Sequence, residues 1–269
     1  MGARETDRLP AFKYQWGRAG KALLEVVKDT SRSDKVAEMV FSLEGDGLER
    51  AFQRFRRTAR GQKLLREKPS LLEYLTGNRT RLLRLPKNTF GYAYARYMEE
   101  ERLDGYGLAE ATSSSYREDD PQLKVDADRQ WFRDRFRDNH DLWHPLAGYG
   151  ADELGEAALL AFTYGQSPIF GVAVLAGVAF GFAPLALPND RWGFQPYMLA
   201  AWERGRRAKW LLAEPLEEML ELPLDDVRRR LHIEPPSKAH RGGLYAWSRH
   251  WPEVKRSPDM MFLMDRRDT

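Results

Sequence analysis

The sequence predicts an all-α fold: a single helical domain with a buried apolar helix pair and a metal site between adjacent helices. Three observations carry this. Apolar residues recur at helical spacing along most of the chain, and no alternation of apolar and polar residues is long enough to make a strand. From Ala157 to Asn189 there is no charged side chain, as in a helix buried on all sides. Between Arg133 and Glu156 stand His140, Asp141, His144 and Glu156, in a chain with 5 histidines altogether.

Residues 11–45 read as one or two amphipathic helices, with Leu23, Val26, Val36, Met39 and Leu43 among their apolar positions and a break at Asp29, Thr30 and Ser31. Leu48–Glu67 interleaves arginines with Phe52, Phe55, Leu64 and Leu65. It reads first as a solvated helix face and second as a surface for acidic lipid or nucleic acid. Pro69 and Ser70 open another helix, and Thr89 caps an aromatic one. There Tyr92, Tyr94 and Tyr97 either fill the core or line a pocket for a ring-bearing ligand.

Residues 104–124, rich in Gly, Ser and Asp, read as a loop or lid. Asp126–His144 is the motif helix, with Trp131, Phe132, Phe136, Leu142 and Trp143 toward the core. Pro168–Leu187 matches the roughly 20 residues of a membrane-spanning helix. Gly171, Gly177, Gly181, Pro184 and Pro188 interrupt it, so it reads as a core helix or helix pair beside the metal ligands, forming an apolar cleft suited to a lipid. Amphipathic helix then returns up to Pro235. The expected division is a helical domain over residues 1–235 and an irregular extension over 236–269, packed on the body through Trp247, Trp251, Met260, Met261 and Met264. His232, His240 and His250 show no ligand spacing and read as structural or exposed.

In 269 residues, 42% hydrophobic and 12% aromatic content suffices for one sizeable core. The balance of 43 basic against 40 acidic residues, a net +3, is mild for a nucleic-acid binder and compatible with an anionic membrane surface. With 0 cysteines, disulfides, thiolate metal sites and thiol catalysis are excluded, so a transition metal would fall to His, Asp and Glu. The N-terminus lacks an apolar signal core, and Glu5 and Asp7 argue against a mitochondrial presequence; a bacterial cytoplasmic protein, peripheral to the inner membrane, is expected.

On an α-helix His140, Asp141 and His144 fall within an arc of about 100°. Glu156 follows a turn-like run, Pro145 to Gly150, and a second helix folding back would bring its carboxylate to the same point. Two imidazoles and two carboxylates suit zinc or another divalent metal that accepts mixed nitrogen and oxygen ligands. The pattern is near the H-E-x-x-H zinc motif with Asp for Glu. The other reading is a solvated helix face, and Pro145 biases His144 away from helical geometry.

These residues resemble the coenzyme Q biosynthesis protein 4 family. Its hallmark, H-D-x-x-H followed after eleven residues by Glu, is reproduced by His140, Asp141, His144 and Glu156, with Gly155 before the glutamate. The likeness runs upstream through Leu64–Leu71, Leu85–Gly91 and the arginines Arg135 and Arg137, and downstream through Gln166, Ala201–Gly205 and the V-R-R-R-L-H-I segment. It departs at Leu160 and Thr163, where Lys and Glu are common, and at Pro145.

The resemblance implies an all-helical fold and a divalent metal, zinc first, with iron or magnesium as alternatives. It gives His140, Asp141, His144 and Glu156 as the catalytic and metal-binding set, Asp141 being a fourth ligand or the group that orients an imidazole. Arg135 and Arg137 become candidates for a substrate carboxylate. The implied activity is that of a carbon-carbon lyase in ubiquinone biosynthesis: decarboxylation, with or without oxidation, of a polyprenylated 4-hydroxy-3-methoxybenzoate. The alternative is a non-catalytic prenyl-lipid-binding scaffold for the enzymes of that pathway. Expected partners are a polyprenylated aromatic lipid, other ubiquinone-biosynthesis enzymes, a membrane surface in peripheral contact and, as an option, a second copy of the chain; nucleic acid is not among them.

Overall fold

Where the helices begin is written in short polar residues placed just ahead of apolar runs. The Ser70 hydroxyl accepts the Glu73 amide at 3.2 Å, Thr89 accepts Tyr92 at 3.3 Å, and Asp126 and Asp152 each accept two amides of the first turn they precede. Each cap satisfies donors that a helix start leaves without an internal partner.

The structure is a computed structural model that describes residues 13–29, 32–116, 125–186 and 194–234. In order it runs α1 (Trp16–Lys28), α2 (Ser33–Ser42), α3 (Gly47–Phe55), α4 (Ala59–Glu67), α5 (Leu71–Leu82), α6 (Phe90–Glu100) and α7 (Gly107–Ser115). There follow α8 (Ala127–Asp138), α9 (His140–Ala147), α10 (Glu153–Gln166), α11 (Phe170–Ala186), α12 (Phe194–Arg207), two short 3-10 turns and α13 (Leu224–Arg230). Among the described residues there is no strand, only a single antiparallel bridge between Thr89 and Pro223. The all-α expectation holds. The proposed extension over 236–269, with His240 and His250, lies outside the described residues.

One apolar core joins most helices. Phe55, Phe90, Tyr97, Phe132, Trp143, Tyr149, Phe162 and Phe194 are its largest buried rings. At its centre α10 packs along α12, and Gln166 ties them: its amide donates to the Gly205 carbonyl at 2.5 Å, and its oxygen accepts the Leu211 amide at 2.8 Å. α8 is the polar spine. Arg129 pairs with Glu49 at 2.8 Å and Arg133 with Glu44 at 3.1 Å, so buried cations on α8 meet buried carboxylates around α3.

Four expectations are corrected. The motif helix is two helices, parted at Asn139, whose side chain donates to the Arg135 carbonyl at 2.7 Å. The loop expected over 104–124 contains α7, in which Thr112, Ser113, Ser114 and Ser115 turn their hydroxyls back onto carbonyls of their own helix rather than drawing the backbone into a turn; residues 117–124 lie outside the described residues. α11 is one helix that lies against α10 and α2 and buries Val172 and Leu175 there, while Gly177 and Gly181 stay exposed; it is not buried on all sides. No helix among the described residues is long and apolar enough to cross a membrane.

The fourth concerns Pro145, which stands inside α9 without driving His144 out of it. The carbonyls that end this short helix are taken by arginines from elsewhere. Arg228 donates to Pro145 at 2.9 Å and to Leu146 at 3.0 Å, and Arg204 donates to Ala147 at 2.8 Å. These bonds hold the end of α9 in helical geometry.

Candidate metal centre

α9 supplies two imidazoles one turn apart, as the i, i+4 spacing requires. It stops at Gly148, whose φ of 80° is the left-handed conformation that suits a residue without a Cβ. The Gly148 and Tyr149 amides both donate to the His144 carbonyl, at 2.7 and 3.1 Å, and the chain reverses into α10. That reversal brings Glu156 over the histidines.

His144 is fully buried, and its Nδ1 lies 3.1 Å from the Tyr149 carbonyl. A carbonyl only accepts, so Nδ1 carries the proton and Nε2 presents a lone pair. That Nε2 points at Glu156, 3.3 Å from Oε1, and has no hydrogen-bond donor facing it. A buried imidazole lone pair facing a half-exposed carboxylate calls for a cation between them or a shared proton. His140 repeats the arrangement, with Nδ1 3.3 Å from Asp141 Oδ1 and Nε2 3.7 Å from Glu156 Oε2.

One ligand atom each from His140, His144 and Glu156 all lie within 4.8 Å of one another. Tetrahedral zinc with bonds of about 2.0–2.1 Å separates its ligands by about 3.3 Å; the two carboxylate–imidazole distances, 3.3 and 3.7 Å, are near that value, within a group that spans up to 4.8 Å. Three protein ligands leave a position open, and Glu156 and His140 are 40% and 28% exposed, so that side faces solvent.

Asp141 is not one of the converging three. Its carboxylate stands behind His140, where it fixes the imidazole. Burial works against protonating His140, but the Asp141 hydrogen bond and the Glu156 and Asp141 charges outweigh it, so its pKa sits above the ordinary value. The arginines face other partners: Arg135, 3% exposed, reaches both oxygens of Glu217 at 3.0 Å, and Arg137 pairs with Asp134 and Asp138.

Tyr97 on α6, one of the tyrosines expected to fill the core or line a pocket, lies flat against His144. Its place among the tyrosines of an aromatic helix was the available signal. Burial, then the charges of Glu156 and Asp141, hold its phenol well above the usual pKa. The Tyr149 partner is a backbone carbonyl, which no side-chain pattern announces.

Residues 15–237 match the family model of the coenzyme Q (ubiquinone) biosynthesis protein Coq4. A mitochondrial ubiquinone biosynthesis protein homolog of Aedes aegypti is 30% identical over 219 residues, 80% of this chain and 74% of that protein. Its Danio rerio counterpart is 30% identical over 80% of this chain and 77% of its own length. The Neurospora crassa protein is 32% identical over 78% of this chain but only 55% of itself, so the chain spans about half of that relative. A crystal structure from Nostoc punctiforme, of a protein provisionally assigned to ubiquinone biosynthesis, superimposes with a TM-score of 0.59 at 20% identity over 81% of this chain and 98% of that one.

The expectation of a bacterial cytoplasmic location is overturned by these relatives, which are named as mitochondrial proteins of eukaryotes. It rested on Glu5 and Asp7, in a segment outside the described residues. By the match over residues 15–237 and these identities, the chain belongs to the Coq4 family of coenzyme Q (ubiquinone) biosynthesis proteins.

Proposed function

We propose that the chain acts in ubiquinone biosynthesis as a metal-dependent lyase that removes the ring carboxylate of a polyprenylated 4-hydroxy-3-methoxybenzoate. The observation that carries this reading is the convergence of His140 Nε2, His144 Nε2 and Glu156 on one point with an open side. In the simplest balance the ring-to-carboxyl bond breaks, carbon dioxide leaves, and the electron pair left on the ring carbon takes a proton. A divalent ion held by the three residues, zinc first and iron or magnesium otherwise, would orient the carboxylate and draw charge from it.

The chain's own groups support such a role. Asp141 and the Tyr149 carbonyl hold the two imidazoles so that each offers Nε2. Around Tyr97 stand Glu156, Asp141, Glu101 and Asp152, and this acidic surrounding would repel a benzoate unless a cation offset it. Arg135 is held by Glu217 and Arg137 by Asp134 and Asp138, so either arginine would have to leave these carboxylates to meet that of a substrate.

Peripheral membrane contact is part of the reading. Trp16, Leu24 and Val27, 59, 62 and 55% exposed, share one side of α1, with Tyr14 and Phe170 packed around Trp16 and the exposed Lys13, Lys21 and Lys28 along the same segment. An apolar face flanked by lysines is how a helix lies in an anionic lipid interface. The other enzymes of the pathway are the expected protein partners.

The test is incubation with a prenylated 4-hydroxy-3-methoxybenzoate, with mass spectrometry for loss of the carboxyl group and for any hydroxyl gained. Loss with the wild-type chain and none with His140→Ala or Glu156→Ala is expected. No loss with metal-loaded wild type rejects the lyase, and restored quinone production in a deletion strain by the His140→Ala chain favours the scaffold.

A further inference from the structure

We infer that the backbone contact between Gly155 and Gly150 sets the distance between the His144 imidazole and the Glu156 carboxylate, making these glycines positioning residues for the metal centre. The inference deepens the metal reading above and rests on it.

Each ligand is attached to one side of this contact. His144 is held by the Tyr149 carbonyl, in the turn between α9 and α10, so its ring moves with that turn. Glu156 directly follows Gly155 in the first turn of α10. A Cβ on Gly155 would stand 2.2 Å from the Gly150 carbonyl oxygen, 2.7 Å from its nitrogen and 2.8 Å from its carbonyl carbon. These neighbours are backbone and cannot rotate aside. On the other side, Asp152 accepts the Gly155 amide at 3.0 Å and the Leu154 amide at 3.2 Å, fixing the first turn of α10 that carries Gly155 and Glu156.

The helix start and the turn therefore lie closer together than a Cβ between them allows. An alanine at 155 must open the gap by roughly 1 Å to reach ordinary contact, and the Glu156 carboxylate is carried away from His144 Nε2. Metal ligands tolerate displacements of about 0.2 Å. Losing a group that orients a ligand weakens metal affinity about 10- to 100-fold, and the same loss is expected here.

A merely structural glycine offers the control. At Gly171, where α11 presses on α2, a Cβ would stand 2.4 Å from the Val40 carbonyl oxygen and 2.7 Å from its Cα, yet neither helix carries one of the three ligands. Gly155→Ala and Gly171→Ala thus introduce the same kind of clash with and without a metal ligand beside it.

Cobalt(II) titration by visible absorption, at a temperature below every melting point, compares the wild type with both variants. Metal-free crystal structures of the wild type and Gly155→Ala accompany it. Both variants are expected to melt lower, but only Gly155→Ala should lose cobalt affinity about 10-fold or more, with a longer His144–Glu156 separation. Cobalt binding by Gly155→Ala equal to wild type, or an equal loss in Gly171→Ala, overturns the inference. A wild-type chain that takes up no cobalt rejects the metal reading, and the crystal pair then decides the positioning claim: an unchanged separation overturns it. Should Gly155→Ala fail to fold, Asp152→Ala, which releases the Gly155 amide without adding volume, is read in the same way.

Discussion

Tyr97 lies flat on the imidazole of His144, with ring centroids 4.8 Å apart and planes inclined by 20°. The phenol ring is 1% exposed, so it walls off the imidazole face away from the mouth of the site. Stacked rings contribute about 0.5–1.5 kcal/mol beyond their area burial, and here that contribution restrains the one candidate ligand that solvent does not reach.

Tyr97→Phe, which keeps the ring, should leave cobalt(II) affinity within about twofold of wild type, whereas Tyr97→Leu should weaken it about 3- to 10-fold, the equivalent of the stacking contribution. Titration monitored by visible absorption checks this. Equal affinities in Phe and Leu variants would show that the stack does not restrain His144.

Glu44 gives the fold a pH dependence. Its burial outweighs the pull of Arg133, and with the nearby charge of Glu49 it holds the carboxyl above its ordinary pKa. A carboxyl with a raised folded-state pKa binds its proton more tightly in the folded than in the unfolded chain. Its stabilising contribution is complete below the unfolded value of 4.5 and is lost as pH rises through the folded value. The stability difference between wild type and Glu44→Gln, from urea unfolding at a series of pH values, should therefore shift against the wild type as pH rises above about 4.5. A difference that stays flat with pH would refute the assignment.

The exposed face of α1 predicts a surface effect without a folding one. Trp16 and Leu24 are 59 and 62% exposed, so Trp16→Glu with Leu24→Glu should change stability by no more than about 1 kcal/mol. Co-sedimentation with vesicles of anionic phospholipid should fall several-fold. High salt should also weaken binding of the wild type, because the lysine contribution is screened. Unchanged co-sedimentation of the double variant would remove α1 as the contact.

What the sequence made legible follows the range of the forces involved. Helix starts at Ser70, Thr89 and Asp126 could be read because a cap acts on its own first turn. His140 and His144 could be paired because one helical turn brings them together. Glu156 was within reach only through the turn that starts at Gly148, and glycines in that stretch were the signal. The partner of Arg135 was not legible: Glu217 is 82 residues away, and nothing local foretells that a guanidinium on α8 reaches a 3-10 segment. α7 was missed because Ser and Thr usually draw the backbone into turns, and their hydroxyls here bond back along the helix instead.

Arg228 is where the distant fold and the candidate metal centre meet. It is 4% exposed and donates to the carbonyls of Pro145 and Leu146, directly after His144. Replacing it with Met keeps much of its length but leaves two buried carbonyls without donors. Hydrogen bonds to charged groups contribute about 1.5–3 kcal/mol each, so Arg228→Met should lower stability by about 3 kcal/mol in urea unfolding. Since those bonds hold the end of α9 beside Pro145, cobalt affinity should fall too, even at temperatures where the variant stays folded. Loss of stability with unchanged metal affinity would mean that α9 keeps its histidines in place without this cap, and that the metal centre depends on its own turn alone.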